Sequence, residues 1–307
     1  MPVVDAASTA VGSSRGGEDL LFVCDLTGKE DGRGCVGAPA AKRMAKYEME
    51  LVAARQAAAV AAAEIMQRYQ QDRAVALKAD GSPVTPADHA AHAAIMAVLG
   101  GATPDIPVAS EEGTDISGER YWSVDPLDGT KEYVARTGAF VVSIALVEAG
   151  SPVVGVIHVP VTGECYYASR GQGARKREGD QDRAIHAARY EGGPVRLIGS
   201  ARHGVDAVAR VCTSLAAPDV PVERVALGSA WKFGRIAEGL ADMYPRLGPT
   251  HTWDTAAGQC IVEEAGGVVW TAGRVPLVYA DPRQLNPSFV AIADPRHPWP
   301  DLLQLAS

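Results

Sequence analysis

A chain of 307 residues is long enough for one large domain or two closely packed ones, and its 47% hydrophobic and 21% charged residues are the balance of a packed protein, not a disordered one. A formal net charge of −8 counts against long nucleic acids and anionic membranes as partners, since both ask for a basic face. The five cysteines, Cys24, Cys35, Cys165, Cys212 and Cys260, lack zinc-finger or redox spacing, no apolar run approaches the roughly 20 residues of a bilayer span, and residues 20–23 are too short for a signal-peptide core, so a cytoplasmic protein is expected.

Residues 1–43 are rich in Gly, Ser and Ala and show no sustained period, which predicts a flexible extension and makes Met44 a candidate natural start. Residues 44–71 are Ala-rich, contain no Gly or Pro, and place Met49, Val52, Ala53, Gln56, Ala59 and Val60 at helical spacings, which predicts the first helix. A second helix is expected from Thr85, where Thr85 can cap, Pro86 suits the first helical position and Asp88 sits at the acceptor place of a capping box; Gly100-Gly101 should end it after Leu99. Strand-like runs follow at 108–110, 121–124, 140–147 and 153–159, with Gly150-Ser151-Pro152 as a turn. Residues 44–185 therefore read as an α+β half, helices on an antiparallel sheet. Beyond a charged, Gly-bearing stretch at 171–193, strands at 195–198 and 222–226 alternate with helices at 205–215 and 229–239, so residues 186–307 read as an α/β half. There is no internal repeat.

The segment Trp122-Ser123-Val124-Asp125-Pro126-Leu127-Asp128-Gly129-Thr130 ends an apolar strand and presents two carboxylates three residues apart. Hard divalent cations take oxygen ligands of this kind, and Pro126 fixes the backbone so that Asp125, Asp128 and the Leu127 carbonyl can aim at one ion. Gly129 and Thr130 offer N–H groups at a helix start, a seat for phosphate. The same residues also suit a plain strand-to-helix turn with Asp128 as its cap. Glu111-Glu112 point to opposite faces of an extended chain, so at most one can reach that ion. Asp254, in Trp253-Asp254-Thr255-Ala256-Ala257-Gly258, falls in the first turn of a helix with a small-residue face and can be read as a cap as well as a ligand. His158, His203 and His251 lack ligand spacing, Gly171-Gln172-Gly173 reads as a turn, and Cys165 and Cys260 read as core residues.

Taken in order, Glu111-Glu112, the Asp125 to Thr130 motif and the Trp253 to Gly258 motif resemble the inositol monophosphatase superfamily of magnesium-dependent, lithium-sensitive phosphatases, over nearly all of residues 44–293. Lys78 to Thr85 resembles a loop that folds over the metals in that family. The resemblance implies a layered α/β sandwich of the inositol monophosphatase and fructose-1,6-bisphosphatase type, α+β followed by α/β, with two or three Mg2+ ions between the halves. It implies Glu111, Asp125, the Leu127 carbonyl, Asp128 and Asp254 as magnesium ligands, with Glu111 preferred to Glu112 only for its place in the motif. It further implies Thr130 as the residue orienting the attacking water and Asp88 as its partner, a role that competes with Asp88 as a helix cap.

The substrate is read from other residues. Lys131-Glu132, Gly228-Ser229-Ala230-Trp231-Lys232-Phe233 and the run from Ala241 to Pro249 resemble the branch of bacterial 3′(2′),5′-bisphosphate nucleotidases of the CysQ type. That resemblance implies Asp128, Gly129, Thr130, Ser229, Lys232 and Arg246 around the substrate, expected to be adenosine 3′,5′-bisphosphate, with Lys232 and Arg246 gripping its second phosphate. Lys232 alone also fits a solvated helix lysine, and Arg246 a surface arginine. An inositol or sugar-phosphate phosphatase and a non-catalytic nucleotide sensor are the competing readings, and a homodimer is left open.

Overall fold

The computed structural model describes residues 46–71, 74–79, 81–113, 116, 118–200 and 221–299. The expected extension at 1–43 and helix at 205–215 lie outside the described residues, as do Cys24, Cys35, Cys212 and His203.

The alanine-rich segment forms α1 (Glu48–Tyr69), but the face it buries is not the one marked by its larger apolar residues. Ala54, Ala57, Ala58, Ala61 and Ile65 are fully buried, whereas Met49 is 66% exposed, Val52 57% and Val60 40%. A stripe without side chains beyond Cβ lets the helix lie close against α2 (Pro86–Ala102) and the sheet, and close approach over many turns outweighs burial of three scattered larger groups. The capping box expected at the start of α2 is present: the Thr85 hydroxyl accepts from Ala87 N, and Asp88 accepts from Thr85 N at 2.8 Å and from its hydroxyl at 2.6 Å. The helix runs through Gly100-Gly101 to Ala102, three residues past the expected end, because its last turn is closed by Thr103, whose N–H and hydroxyl both donate to Leu99 O.

Seven strands form the large sheet in sequence order: β3 (Val108–Ser110), β4 (Arg120–Asp128), β5 (Val141–Glu148), β6 (Ser151–His158), β7 (Cys165–Ser169), β8 (Ala174–Glu178) and β9 (Gln181–Ile185). A separate hairpin joins β1 (Ala76–Leu77) to β2 (Pro83–Val84). All neighbours in the large sheet are antiparallel except β3 and β4, which run parallel, so the expected antiparallel sheet is corrected at that edge. The charged stretch at 171–193 proves to contain β8 and β9: charged side chains stand on both faces of β8, Lys176 buried and Arg177 and Glu178 exposed, and so hid the period.

A second sheet of five strands has the order β11 (Val222–Ala226), β10 (Val195–Gly199), β12 (Met243–Arg246), β14 (Phe289–Ile292), β13 (Val268–Thr271), the first three parallel and the last two antiparallel to their neighbours. Three helices complete the described structure: α3 (Thr130–Val134), α4 (Trp231–Ala237) and α5 (Thr252–Glu264). Strand periodicity sorts β5 into two faces. Val142, Ile144 and Leu146 pack with α1 and α2, while Val141, Ala145 and Val147 share a core with α4, α5 and the second sheet. The layers are therefore helices, large sheet, helices, small sheet, a layered α/β sandwich. The middle layer is thin because Gly258 of α5 receives the Phe233 ring of α4; a Cβ there would collide with it.

Candidate active site

Pro126 has no N–H to continue a ladder, and β4 breaks register there: Asp125 pairs with Ser143 but Asp128 with Val141, so three steps along β4 match two along β5. The bulge brings Asp125 and Asp128, which regular strand alternation would send to opposite faces, to one side. Asp254, from the first turn of α5, completes a group in which one carboxylate oxygen from each residue lies within 4.8 Å of the others. Gly129 then turns the chain into α3 at φ +99°, and a Cβ on it would stand 3.1 Å from Ala139 O. Only glycine meets both conditions.

Asp125 is 2% exposed. Burial, then the charges of Glu111, Asp128 and Asp254, raise its carboxyl well above the ordinary range. Burial likewise pushes Asp128 up to about 7, aided by Asp254, and Asp254 up to about 6. Three carboxylates this close cannot all stay ionised away from water without a cation. Their donors are oxygens only, the set a hard divalent ion selects, so the residues fit such a metal. Glu111 sits at the end of β3, its N–H bonded to Val124 O, and its Oε1 accepts from Lys78 Nζ at 2.7 Å while Glu112 Oε1 accepts from the same ammonium at 2.6 Å. Burial lowers the Lys78 pKa, but the two carboxylates outweigh it and the net shift is upward.

The Thr130 hydroxyl stands 3.2 Å from both Asp88 Oδ1 and the Leu127 carbonyl, so Asp88 serves as helix cap and as partner of Thr130 at once. Across the cleft, Ala230 N donates to Asp128 Oδ2 at 2.5 Å, and Ser229 holds the left-handed conformation at φ +55°, a strained arrangement for a residue with a Cβ. Lys232 is 4% exposed; its ammonium meets the carbonyls of Ser229 and Leu227 and the face of Tyr244, with no carboxylate in contact among the described residues. Burial pulls its pKa down to about 8, despite the attraction of Asp128. Arg246 leaves a buried Nε with no partner among the described residues. A buried ammonium and an unsatisfied guanidinium N–H beside an acidic group are the arrangement an anionic ligand completes.

These groups line one cavity of about 210 Å3, bounded by Glu111, Asp128, Gly129, Thr130, Ser229, Lys232, Arg246 and Asp254, with Asp88, Asp125 and Leu127 behind its wall. All eleven residues singled out in the sequence thus come together. The sequence did not point to Lys78 as partner of Glu111, to the Ala230 N–H, or to Tyr244 and Thr250, which also line the cavity. A backbone donor carries no side-chain signal, whereas Lys78, opening the motif noted over the metals, could have been found from its charge beside two glutamates. Cys165 and Cys260 are buried as expected, and burial raises both thiols, Cys165 to about 12. Gly171 and Gly173 form a turn whose N–H groups donate to the Glu264 carboxylate, each at 2.8 Å.

The fold and cavity define a layered α/β protein with an acidic group that could hold a metal facing two cationic side chains. The chain belongs to the inositol monophosphatase family, whose model matches residues 46–297. It is 42% identical over 235 residues to the 3′(2′),5′-bisphosphate nucleotidase CysQ of Salmonella typhimurium, covering 73% of this chain and 92% of that protein, and 41% identical over the same length to that of Escherichia coli K12. Among solved structures it resembles CysQ from Bacteroides thetaiotaomicron, with TM-score 0.71, 37% identity, and coverage of 80% of this chain and 98% of that one. It also resembles an inositol monophosphatase from Thermotoga maritima, with TM-score 0.69, 25% identity, and coverage of 84% and 96%. The family is metal-dependent. No helix among the described residues is long and apolar enough to cross a membrane.

Proposed function

We propose that this chain is a magnesium-dependent 3′(2′),5′-bisphosphate nucleotidase that hydrolyses the 3′-phosphate of adenosine 3′,5′-bisphosphate to AMP and phosphate. The observation that carries the reading is the pair of cationic groups in the same cavity as Asp128 and Asp254: among the described residues, buried Lys232 has no carboxylate in contact and the Arg246 Nε no partner. One phosphate at the acidic group leaves these cations for a second, and a bisphosphate supplies it. The 36–42% identity to nucleotidases over most of the chain supports the same substrate class.

Asp125, Asp128, Asp254, Glu111 and the Leu127 carbonyl would hold Mg2+. When bound, the metal supplies positive charge to the phosphoryl oxygens and acidifies water for in-line attack. The chain's own groups do the rest. Asp88, held by the Thr85 N–H and hydroxyl, accepts a hydrogen bond from the Thr130 hydroxyl and so leaves a Thr130 lone pair free to accept a hydrogen bond from, and orient, the attacking water. Gly129 and Thr130, at the start of α3, line the cavity beside Asp128, where the scissile phosphate would lie, while Ser229, Lys232 and Arg246 would hold the remote one. Such remote contacts supply binding energy that a monophosphate cannot use.

The test is a panel of adenosine 3′,5′-bisphosphate, adenosine 3′-monophosphate, inositol 1-phosphate and fructose 1,6-bisphosphate, run with and without Mg2+. Magnesium-dependent release with the first substrate preferred is expected. Replacing Lys232 and Arg246 together by Met should cost the bisphosphate about a hundredfold or more in kcat/KM while sparing the 3′-monophosphate. Preference for the inositol or sugar phosphate would overturn the substrate, and binding without turnover would make the chain a sensor.

A further inference from the structure

At the far end of α4 from the cavity lies a second charge cluster. Lys176 of β8, 4% exposed, bonds Glu164 and reaches Glu238 Oε2 at 3.0 Å. Glu238, the residue that closes α4, also accepts from Tyr166 of β7 at 2.6 Å and from Arg235 at 2.7 Å, and its side chain is 3% exposed. Arg235 stands 3.8 Å from Glu164 and lays its guanidinium over the Trp231 ring at 4.7 Å. The Tyr166 ring lies against Gly234, where a Cβ would stand 3.0 Å from three ring atoms.

None of these groups lines the cavity, and their chemistry is not that of a ligand site, since the buried carboxylates and cations satisfy one another, with Glu178 and Arg183 pairing to Lys176 and Glu238 from the exposed side. Nor is stability a sufficient reason for them. Buried ion networks lose in desolvation about what they gain in attraction, and apolar residues of equal volume often serve as well. What charges add is direction. The helix they hold needs it: α4 has seven residues, too few to be stable by itself. Phe233 in the Gly258 notch sets its distance from α5, but an aromatic ring in a notch resists sliding along the helix axis weakly. The hydrogen bonds that Glu238 accepts from Tyr166 and Lys176, with the Arg235–Glu164 ion pair, fix that axial position, and Arg235 lies one turn from Lys232.

We infer that the Glu164–Lys176–Glu238–Arg235 cluster, with Tyr166, is a positioning device that sets the height of α4 and thereby the place of the Lys232 ammonium in the cavity. It is a determinant of affinity for the substrate's remote phosphate, and this rests on the reading of Lys232 as a contact to that phosphate. Glu238 and Tyr166 act through Lys232 and touch no substrate themselves.

The experiment compares adenosine 3′,5′-bisphosphate with adenosine 3′-monophosphate on the full chain carrying Glu238→Gln, Tyr166→Phe, Lys232→Met, or each of the first two combined with the third. Tyr166→Phe removes one hydroxyl and keeps the ring on Gly234, so it decides the matter if Glu238→Gln does not fold. The two distal variants should raise KM for the bisphosphate on the order of tenfold, the scale of weakening one charge-assisted contact, with kcat for both substrates and KM for the monophosphate unchanged. In the Lys232→Met background they should add nothing further, since a device acting through Lys232 has nothing left to place. Equal losses on both substrates, or losses that add to those of Lys232→Met, overturn the positioning role while leaving the substrate reading intact. A Lys232→Met variant that treats the two substrates alike sinks the substrate reading, and the inference with it.

Discussion

Asp125, Asp128 and Asp254 repel one another in a setting too dry to screen them, and their shifts fix the sign of two effects. Asp125→Asn and Asp128→Asn each remove anionic charge while keeping volume, so turnover should fall by orders of magnitude. The metal-free variants should melt no lower than the unmodified chain, because the lost charge was unfavourable there, and Mg2+ should raise their melting temperature less. Calorimetry with and without the ion checks both. The second effect is on pH. With the carboxyls of Asp128 near about 7 and Asp254 near about 6 in the folded chain, against an ordinary 3.8, the native state holds protons that the unfolded state has released. Metal-free stability from these two groups is therefore full below about pH 4 and is lost as pH rises to about 7. Saturating Mg2+ should flatten that slope, since it binds the ionised forms. Denaturant titrations across this window, with and without chelator, measure it. At this scale the sequence was most legible where a residue type is chemically restricted: Asp125, Asp128 and Gly129 stand together because a bulge, a metal and a left-handed turn each exclude alternatives. Arg246 and Lys232 could be weighed only against surface roles, as nothing in their neighbours announces the 4% exposure of Lys232.

Between α4 and α5 the Phe233 ring fills the space over Gly258, and this contact sets the spacing of the two helices that bring Lys232 and Asp254 to the cavity. Gly258→Ala should therefore push the helices apart, costing about 1–3 kcal/mol in stability as an overpacked core does, and should lower kcat although neither residue touches substrate. Pairing it with Phe233→Leu, which frees volume at the ring, should recover part of both, as a melting curve and a rate on the same preparation would show. Elements with a local signature were read correctly. The Thr85-Pro86-Asp88 start of α2 was found because a capping box is written in four consecutive residues, whereas β8 and β9 were missed because Arg175, Lys176, Arg177 and Glu178 mask strand alternation with long charged side chains. The helix α1 was read from its spacing, but its buried face was not legible for a similar reason. In a run of alanines both faces are apolar, and what chooses between them is the surface waiting on the other side, which no window of sequence contains.

Across the molecule, the family match begins at residue 46 and the candidate catalytic residues all fall between Asp88 and Asp254. Removing residues 1–43 should leave kcat and KM unchanged, and a large loss of turnover in a folded truncation would assign part of the site to that segment. The order of the layers bears on how the chain reaches its final state. The large sheet is complete by Ile185, yet the face made by Tyr121, Val141, Ala145 and Tyr166 is covered by α4 and α5, which come from residues 231–264. During synthesis that apolar face has no cover until α5 has left the ribosome, an interval in which the nascent sheet is a target for chaperones and for its own copies. Phosphatase activity would then appear in a single late step, so its time course in a translation reaction would report the docking of α5 and not the growth of the sheet.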